Sequence, residues 1–432
     1  MAINATAVWR VRPSGSNTNG GGYDAGIVGA GTDYSQQNSA QASGTHGTAT
    51  GTTAFSDTVA ANFTSAMVGN ALYITGTGLT TGFYFCTAYS SATAITLDRS
   101  PGTGTVGTWH LGGGWADFWT NTTSSGPLVP GNTVYILGSG VPNPSSYTYD
   151  YSPSTYFTPA SGSSTTGSIT FAGDPSTPNY STGGMPCIKT QGLLFFSNAY
   201  IIMQSLYFVC AAANFGSDGI AGGNSGSLQV IKSCVLDQFG YDVALSGTGS
   251  GVAAHIFSSE VFSSQAKVST NANYAIGLIQ AYGCILQNCN IHDCIGPAVT
   301  ISRMASVTGN IIAKNGGVGL LISNGGSNFF QHVSNNTIDA NVGNGIEFDS
   351  QQSLAVTTCI NNIISGHVTA STYGLTVDSG TAAANTLVAL FCDYNTFYNN
   401  ATNYNAISAG PHDTALGTTP YVAQSTENYT LA

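Results

Sequence analysis

The sequence predicts an all-β chain whose main body is a parallel β-solenoid with three short strands per coil, and three observations in its second half predict it. A motif of a small or polar residue, any residue and a large apolar anchor recurs at Cys234-Val-Leu236, Glu260-Val-Phe262, Cys289-Asn-Ile291, Asn310-Ile-Ile312, Asn336-Thr-Ile338, Asn362-Ile-Ile364 and Asn395-Thr-Phe397, with Gln204-Ser-Leu206 as a further copy upstream. The anchors are 26, 29, 21, 26, 26 and 33 residues apart, a period typical of stacked structural repeats. After most anchors a turn with Gly or Asn leads to a second alternation, at Val243/Leu245, Val299/Ile301, Leu320/Ile322, Ile346/Phe348 and Leu375/Val377. Apolar residues such as Val230/Ile231, Val307 and Val333 precede the anchors. Alternation with period 2 marks a half-buried strand and not a helix, so each repeat supplies about three strands and the repeats stack into one continuous core.

The elements follow in chain order. Ala7-Val-Trp-Arg-Val11 reads as a short strand, and a glycine-rich stretch runs from Gly20 to about Thr53. Ala71-Leu-Tyr-Ile-Thr75, Gly82-Phe-Tyr-Phe-Cys86 and Ala94-Ile-Thr-Leu97 read as strands bounded by turn residues. Residues 1–114 are therefore expected to form a small N-terminal β module suited to attachment. Trp115-Ala-Asp-Phe-Trp119 is expected to be a short helix that plugs the open end of the core, and Pro130 to Leu137 a turn leading into the first coil strand. Residues 115–400 make the solenoid. Residues 401–432 form a cap or a tail, since the stretch from Pro411 has little core material.

Within the solenoid the anchors Leu236, Phe262, Ile291, Ile312, Ile338, Ile364 and Phe397 are core residues, and Asn310, Asn336, Asn362 and Asn395 form a ladder. A side-chain amide offers two donors and an acceptor, so an Asn at each turn can bond its own turn's backbone and the Asn of the next coil. Cys234 and Cys289 suit the same slot as small buried thiols. Glu260 in that register is odd and marks a distorted coil.

Composition narrows the function. Only 6% of the 432 residues are charged, against roughly 25% in an ordinary domain, yet 42% are apolar, enough for a large core. A net charge of −11 with eight scattered Lys and Arg leaves no basic stripe for nucleic acid. No window of 18 apolar residues suggests membrane insertion, and Met1 to Thr6 lacks the features of a signal peptide; synthesis in a cytoplasm is expected. Nine cysteines without a CxxC pair read as reduced, buried thiols and not as a disulfide framework or zinc ribbon.

The candidate chemistry is sparse. A glycosidase needs two carboxyl groups about 5–10 Å apart, and stacked coils lie about 4.8 Å apart. The residues following the anchors place Asp237, His292 and Asp339 on one face, each pair two coils apart, with Asp293, Glu347 and Asp349 as further candidates. Solvated turn and edge residues are the simpler interpretation. The cluster Cys284, Cys289, His292, Asp293 and Cys294 carries zinc-ligand chemistry, but a Cys at the anchor register belongs in the core, so no metal or other cofactor is expected. The coil cations Lys232, Lys267, Arg303 and Lys314 are too scattered to stabilise the carbanion of an acidic-sugar lyase.

The Gly-Ser-Asn-Thr-Asn-Gly turn after the opening strand, the Gly-Asn-Thr-Val-Tyr-Ile strand and the Asn-x-Ile coils resemble the right-handed parallel β-helix proteins of the pectate-lyase-like superfamily. The block from Val8 to Gln37 further resembles the front of β-helix proteins among the virion genes of tailed bacteriophages. The resemblance implies a right-handed coil and a place on a virion as a capsid decoration, spike or fibre. The implied partners are further copies of the chain in a homotrimer, other capsid or tail proteins, and host surface polysaccharide. Two alternatives stand beside it: a tailspike depolymerase that cleaves neutral polysaccharide, and a self-assembling extracellular β-solenoid fibre.

Overall fold

The computed structural model of the chain describes residues 3–123, 125–138, 148–151, 159–176, 185–190, 194–196, 200–210, 218–222, 228–237, 241–245, 253–262, 274–278, 283–323, 330–348, 356–378, 389–426 and 428–432. The chain divides into two compact units, one of Met1–Asp150, Phe157–Ile188 and Asn198–Leu206, the other of Tyr151–Tyr156, Lys189–Ser197 and Tyr207–Ala432.

In the second unit three parallel sheets each take one strand per coil. The first holds strands such as Cys284–Gln287, Ala305–Thr308 and Phe330–Ser334, the second Asn290–His292, Ile311–Ala313 and Thr337–Asp339, and the third Val299–Ile301, Leu320–Ile322 and Ile346–Phe348. The predicted anchors stack in register along the second sheet, with two corrections. Phe208, and not Leu206 of the copy Gln204-Ser-Leu206, pairs with Leu236. Leu236 is aligned with Val261, and Val261 with Ile291, while Phe262 pairs with Asp237 and His292. Val261 is fully buried and Phe262 is only half-buried. A one-residue slip exchanges the two faces of a strand, and here Ser259, not Glu260, occupies the ladder slot.

The backbone reason for the slot is a left-handed bend. The residue before each ladder position, from Ser233, Ser258 and Asn288 through Gly309 to Asn335, Asn361 and Tyr394, has a φ between 48° and 69°. The bend recurs five residues later, at Asp293, Lys314, Ala340, Gly366 and Asn399. Asn and Gly tolerate this region best.

The predicted ladder is present. Asn310 donates its amide to Asn336 Oδ1 at 2.9 Å, Asn336 to Asn362 at 2.9 Å and Asn362 to Asn395 at 3.0 Å. The second amide hydrogen reaches the carbonyl of the preceding coil, Leu286 for Asn310 and Val307 for Asn336, and not the residue's own turn. The ladder ends on Asp413, whose Oδ1 accepts from the backbone N–H and the amide of Asn395. A carboxylate accepts but cannot donate onward.

A second ladder, five residues further along each coil, escaped the sequence reading. Asn315 donates to Asn341 Oδ1 at 2.8 Å, Cys294 N–H to Asn315 Oδ1 at 3.1 Å, and His367 N–H to Asn400 Oδ1 at 3.2 Å. His367, fully buried, fills the slot that Asn takes in neighbouring coils, with Nδ1 against the Asn341 and Gly343 carbonyls. Burial pushes its pKa below the ordinary 6.5, against the pull of those carbonyls. The unfolded chain then binds the proton more tightly than the native one. The contribution of His367 is thus complete above pH 6.5 and declines as pH falls toward the lowered native pKa. His367→Asn is expected to fold and to remove this loss; unfolding midpoints measured from pH 7 to pH 5 check it, and an unchanged slope would refute the assignment.

In the first unit Val8–Val11, Thr133–Ile136, Ile169–Gly173 and Ile201–Gln204 pair in parallel. The opening strand therefore belongs to the coil stack, which begins at Val8 and not at residue 115, and Thr133–Ile136 is its second strand. The residues between fold as an antiparallel sheet in which Thr48–Thr50, Ala54–Ser56, Ala94–Leu97, Gly82–Ser91, Ala71–Leu79 and Gly102–Leu111 close into a ring, because the last pairs with both Ala71–Leu79 and Thr48–Thr50. Closure removes the exposed edges. Phe55, Phe63, Leu72, Ile74 and Trp109 fill the barrel.

The helix expected at Trp115–Trp119 is absent. Asn17 Oδ1 accepts the N–H groups of Ala116 and Asp117, and Asp117 Oδ1 those of Trp119 and Thr120. Such side-chain bonds compete with helical ones. Trp115 is instead buried against Trp9.

Residues 401–432 continue the coil and then turn back. Thr402–Asn405 joins the third sheet and Thr414–Leu416 the second, and an antiparallel hairpin of Tyr421–Ala423 and Asn428–Leu431 follows.

Candidate functional site: a carboxylate and imidazole cluster on the second sheet

Residues flanking the buried anchors point outward from the second sheet. Asp237, Phe262, His292, Ala313, Asp339, Ser365 and Tyr398 occupy one column of that face, as the sequence suggested for Asp237, His292 and Asp339. The partner missing from the sequence reading is Glu260, in the coil between Asp237 and His292. Its Oε1 lies 3.1 Å from His292 Nε2, and Asp293 Oδ2 lies 2.8 Å from Nδ1. The imidazole also stacks on Phe262, with centroids 5.4 Å apart and planes 3° from parallel. Burial alone would lower the His292 pKa, but the bonds to Glu260 and Asp293 outweigh it and the net direction is upward. The ring thus holds its proton above the ordinary 6.5, bridging two carboxylates.

Asp237 sits differently. It is buried, its Oδ2 accepts from Tyr207 Oη at 2.9 Å, and its Oδ1 has no hydrogen-bond partner among the described residues. Burial, with the Glu260 charge adding to it, raises its pKa against the Tyr207 bond. A buried carboxylate oxygen without a donor is costly, and protonation relieves it. One carboxyl group whose pKa burial raises and one more exposed carboxyl group on a neighbouring coil give the two environments that separate an acid from a base.

Asp339, also a sequence candidate, is committed elsewhere. It is 1% exposed. Its Oδ1 accepts from Ser365 Oγ at 2.6 Å and Gln424 Nε2 at 2.7 Å, and its Oδ2 from Tyr429 Oη at 3.2 Å. Ser365 also bonds Tyr421 at 2.8 Å. Asp339 is the socket of the C-terminal hairpin, with both of its oxygens taken up by hydrogen bonds. Asp339→Ala is expected to release the hairpin, seen as faster proteolysis after residue 417, with a loss of about 2 kcal/mol or less in global stability; protection equal to wild type would contradict the role.

The other candidates separate. Glu347 accepts from Asn344 at 2.7 Å on the third sheet, and Asp349 lies outside the described residues. Cys289 and Cys294 lie in the two ladder slots and Cys284 in the first sheet, all buried, whereas His292 faces outward. Burial pushes the Cys284 and Cys289 thiols up to about 11.

Residues 188–332 and 218–402 match the family described as a right handed beta helix region. The chain folds as a right-handed parallel β-helix. Among solved structures this β-helix is similar to pectate lyase Pel9A, at 14% identity and TM-score 0.47 over 71% of this chain and 78% of that one. It is similar to the Dettilon tailspike protein gp208, at 12% identity and TM-score 0.35 over 66% of this chain and 59% of that one. It is also similar to the A-module of the Azotobacter vinelandii mannuronan C-5 epimerase AlgE6, at 14% identity and TM-score 0.35 over 66% and 90%. No curated protein matches the sequence.

Proposed function

We propose that this β-helix is a structural protein of a bacteriophage surface, working as a homo-oligomer beside other capsid or tail proteins. The observation that carries the self-association is a ridge. Ile295, Val342 and Val368, 54%, 56% and 62% exposed, each follow a second-ladder residue, with Gly316 at the equivalent place between the first two. Apolar side chains repeating in register along a coil axis suit a partner with the same repeat of about 4.8 Å, which a second copy supplies. Scarce charge supports the same reading, since Ser, Thr and Asn can be buried between subunits without desolvating ions. Light scattering is expected to give a multimer, and Val342→Lys with Val368→Lys a monomer. A wild-type monomer at high concentration, never found on particles, would overturn the proposal. Asp413 at the end of the ladder disfavours the alternative of unlimited end-to-end growth.

The cluster on the second sheet favours one second reading, a depolymerase acting on host polysaccharide. Asp237 would donate its proton to the leaving glycosidic oxygen, and Glu260, positioned by His292, would act as base or nucleophile. Release of reducing ends from host glycan should then fall at least about a hundredfold in Glu260→Gln and Asp237→Asn and persist in Asp339→Asn. Equal loss in all three would point to misfolding, and no release from any host glycan would remove this reading.

A further inference from the structure

The first unit contains a cleft of about 640 Å³ whose walls include Ile3, Ile27, Val28 and Phe85 and whose polar residues include Asp24 and Asp98. The two carboxylates are unequal. Asp98 is engaged, with Oδ1 accepting from Phe85 N–H at 2.8 Å and Oδ2 paired to Arg99 at 2.5 Å. Asp24 is only 2% exposed. Its Oδ1 accepts from Gly26 N–H at 2.8 Å and Thr6 Oγ1 at 3.1 Å, while its Oδ2 receives no hydrogen bond and no ion pair from any described residue. Asp24 lines the cleft, and one of its two oxygens takes no hydrogen bond from any described residue.

The shape and charge select an alkyl chain with a cationic tip. A lysine stem can lie along apolar walls while its ammonium reaches a single oxygen. Arginine fits less well, because its fork needs two open carboxylate oxygens and Oδ1 is already occupied. We propose that this cleft seats a lysine side chain of the protein to which the first unit attaches. The identity of that protein as a particle component rests on the function proposed above. The net charge of −11 favours approach of a cationic segment.

The test uses the full-length chain and small probes that carry only the chemistry at issue: n-butylammonium, n-butanol and n-butylguanidinium, titrated by NMR. Butylammonium is expected to bind about tenfold more tightly than either of the others, with shifts at Ile27, Val28 and Phe85. Asp24→Asn keeps the Oδ1 acceptor for Gly26 and Thr6, so it should fold normally while the preference for the ammonium collapses. Val28→Lys, at a position 94% exposed, supplies a competing ammonium from the rim and should weaken butylammonium about tenfold. Equal binding of butanol and butylammonium, or an undiminished preference in Asp24→Asn, overturns the proposal. Incorporation into particles separates the two ideas. A chain found on particles whose cleft ignores the amine removes the lysine seat alone, and a cleft that binds the amine in a chain never found on particles removes the virion assignment alone.

Discussion

Asn336→Leu is expected to destabilise the second unit by about 3–5 kcal/mol, although Leu is more apolar and close in size. Asn336 is 1% exposed. Its Oδ1 accepts from both the backbone N–H and the amide of Asn310, at 3.0 and 2.9 Å, and its own amide donates to Val307 O and Asn362 Oδ1, both at 2.9 Å. Leu removes all four bonds and leaves the Asn310 donors without an acceptor in the core. Each orphaned group costs about 1–3 kcal/mol, and relaxation of the bend recovers part of the sum. Transfer of the larger apolar side chain offsets about 1 kcal/mol at most. Asn335→Gly, one residue earlier, is the control: its φ of 55° suits glycine, so its effect should stay within about 1 kcal/mol. Denaturant unfolding of both variants decides the matter; a loss for Asn336→Leu no larger than for Asn335→Gly would mean that the ladder contributes shape and not stability.

The coil was legible because its signal repeats. Apolar anchors and Asn recur in so many coils that irregular copies do not obscure the period, and the register the others imply is the register observed. Two copies slip: Gln204-Ser-Leu206 falls two residues early, since Phe208 pairs with Leu236, and at Ser259 to Phe262 two adjacent residues, Val261 and Phe262, are both apolar and therefore equally good anchors. The second slip had a functional consequence. Assigning Glu260 to the ladder hid an outward carboxylate lying between Asp237 and His292, and so hid the partner that the sequence reading found missing. The second ladder was visible in principle as an Asn five residues after the first, in Asn310/Asn315, Asn336/Asn341 and Asn395/Asn400, interrupted by His367. The role of Asp339 was not visible, because its partners Gln424 and Tyr429 are separated from it by 85 and 90 residues and follow no period. The false helix at Trp115 failed for a similar reason: the competing acceptor, Asn17, lies 99 residues away in sequence from Ala116.

Trp9→Ala is expected to be the most damaging single change in the first unit, at about 3–5 kcal/mol. Trp9 is fully buried. It stacks on Trp115 with centroids 4.8 Å apart, meets Phe83 and Phe85 edge-on at 5.8 and 5.6 Å, and donates Nε1–H to Asn132 Oδ1 at 3.1 Å. One ring thus ties the first coil strand to the barrel strand Gly82–Ser91 and to the segment after the barrel. Trp9→Phe keeps a ring and loses mainly the hydrogen bond. Asn132 Oδ1 still accepts from Val129 N–H at 3.0 Å, so this variant should lose about half as much. Phe85 is both an edge-on neighbour of Trp9 and a wall of the cleft beside Asp24. Below its melting transition, Trp9→Ala should therefore weaken butylammonium binding, whereas Asn336→Leu, which damages only the ladder, should leave that binding unchanged. If both variants bound the probe as wild type does, the aromatic cluster would serve the fold without shaping the cleft.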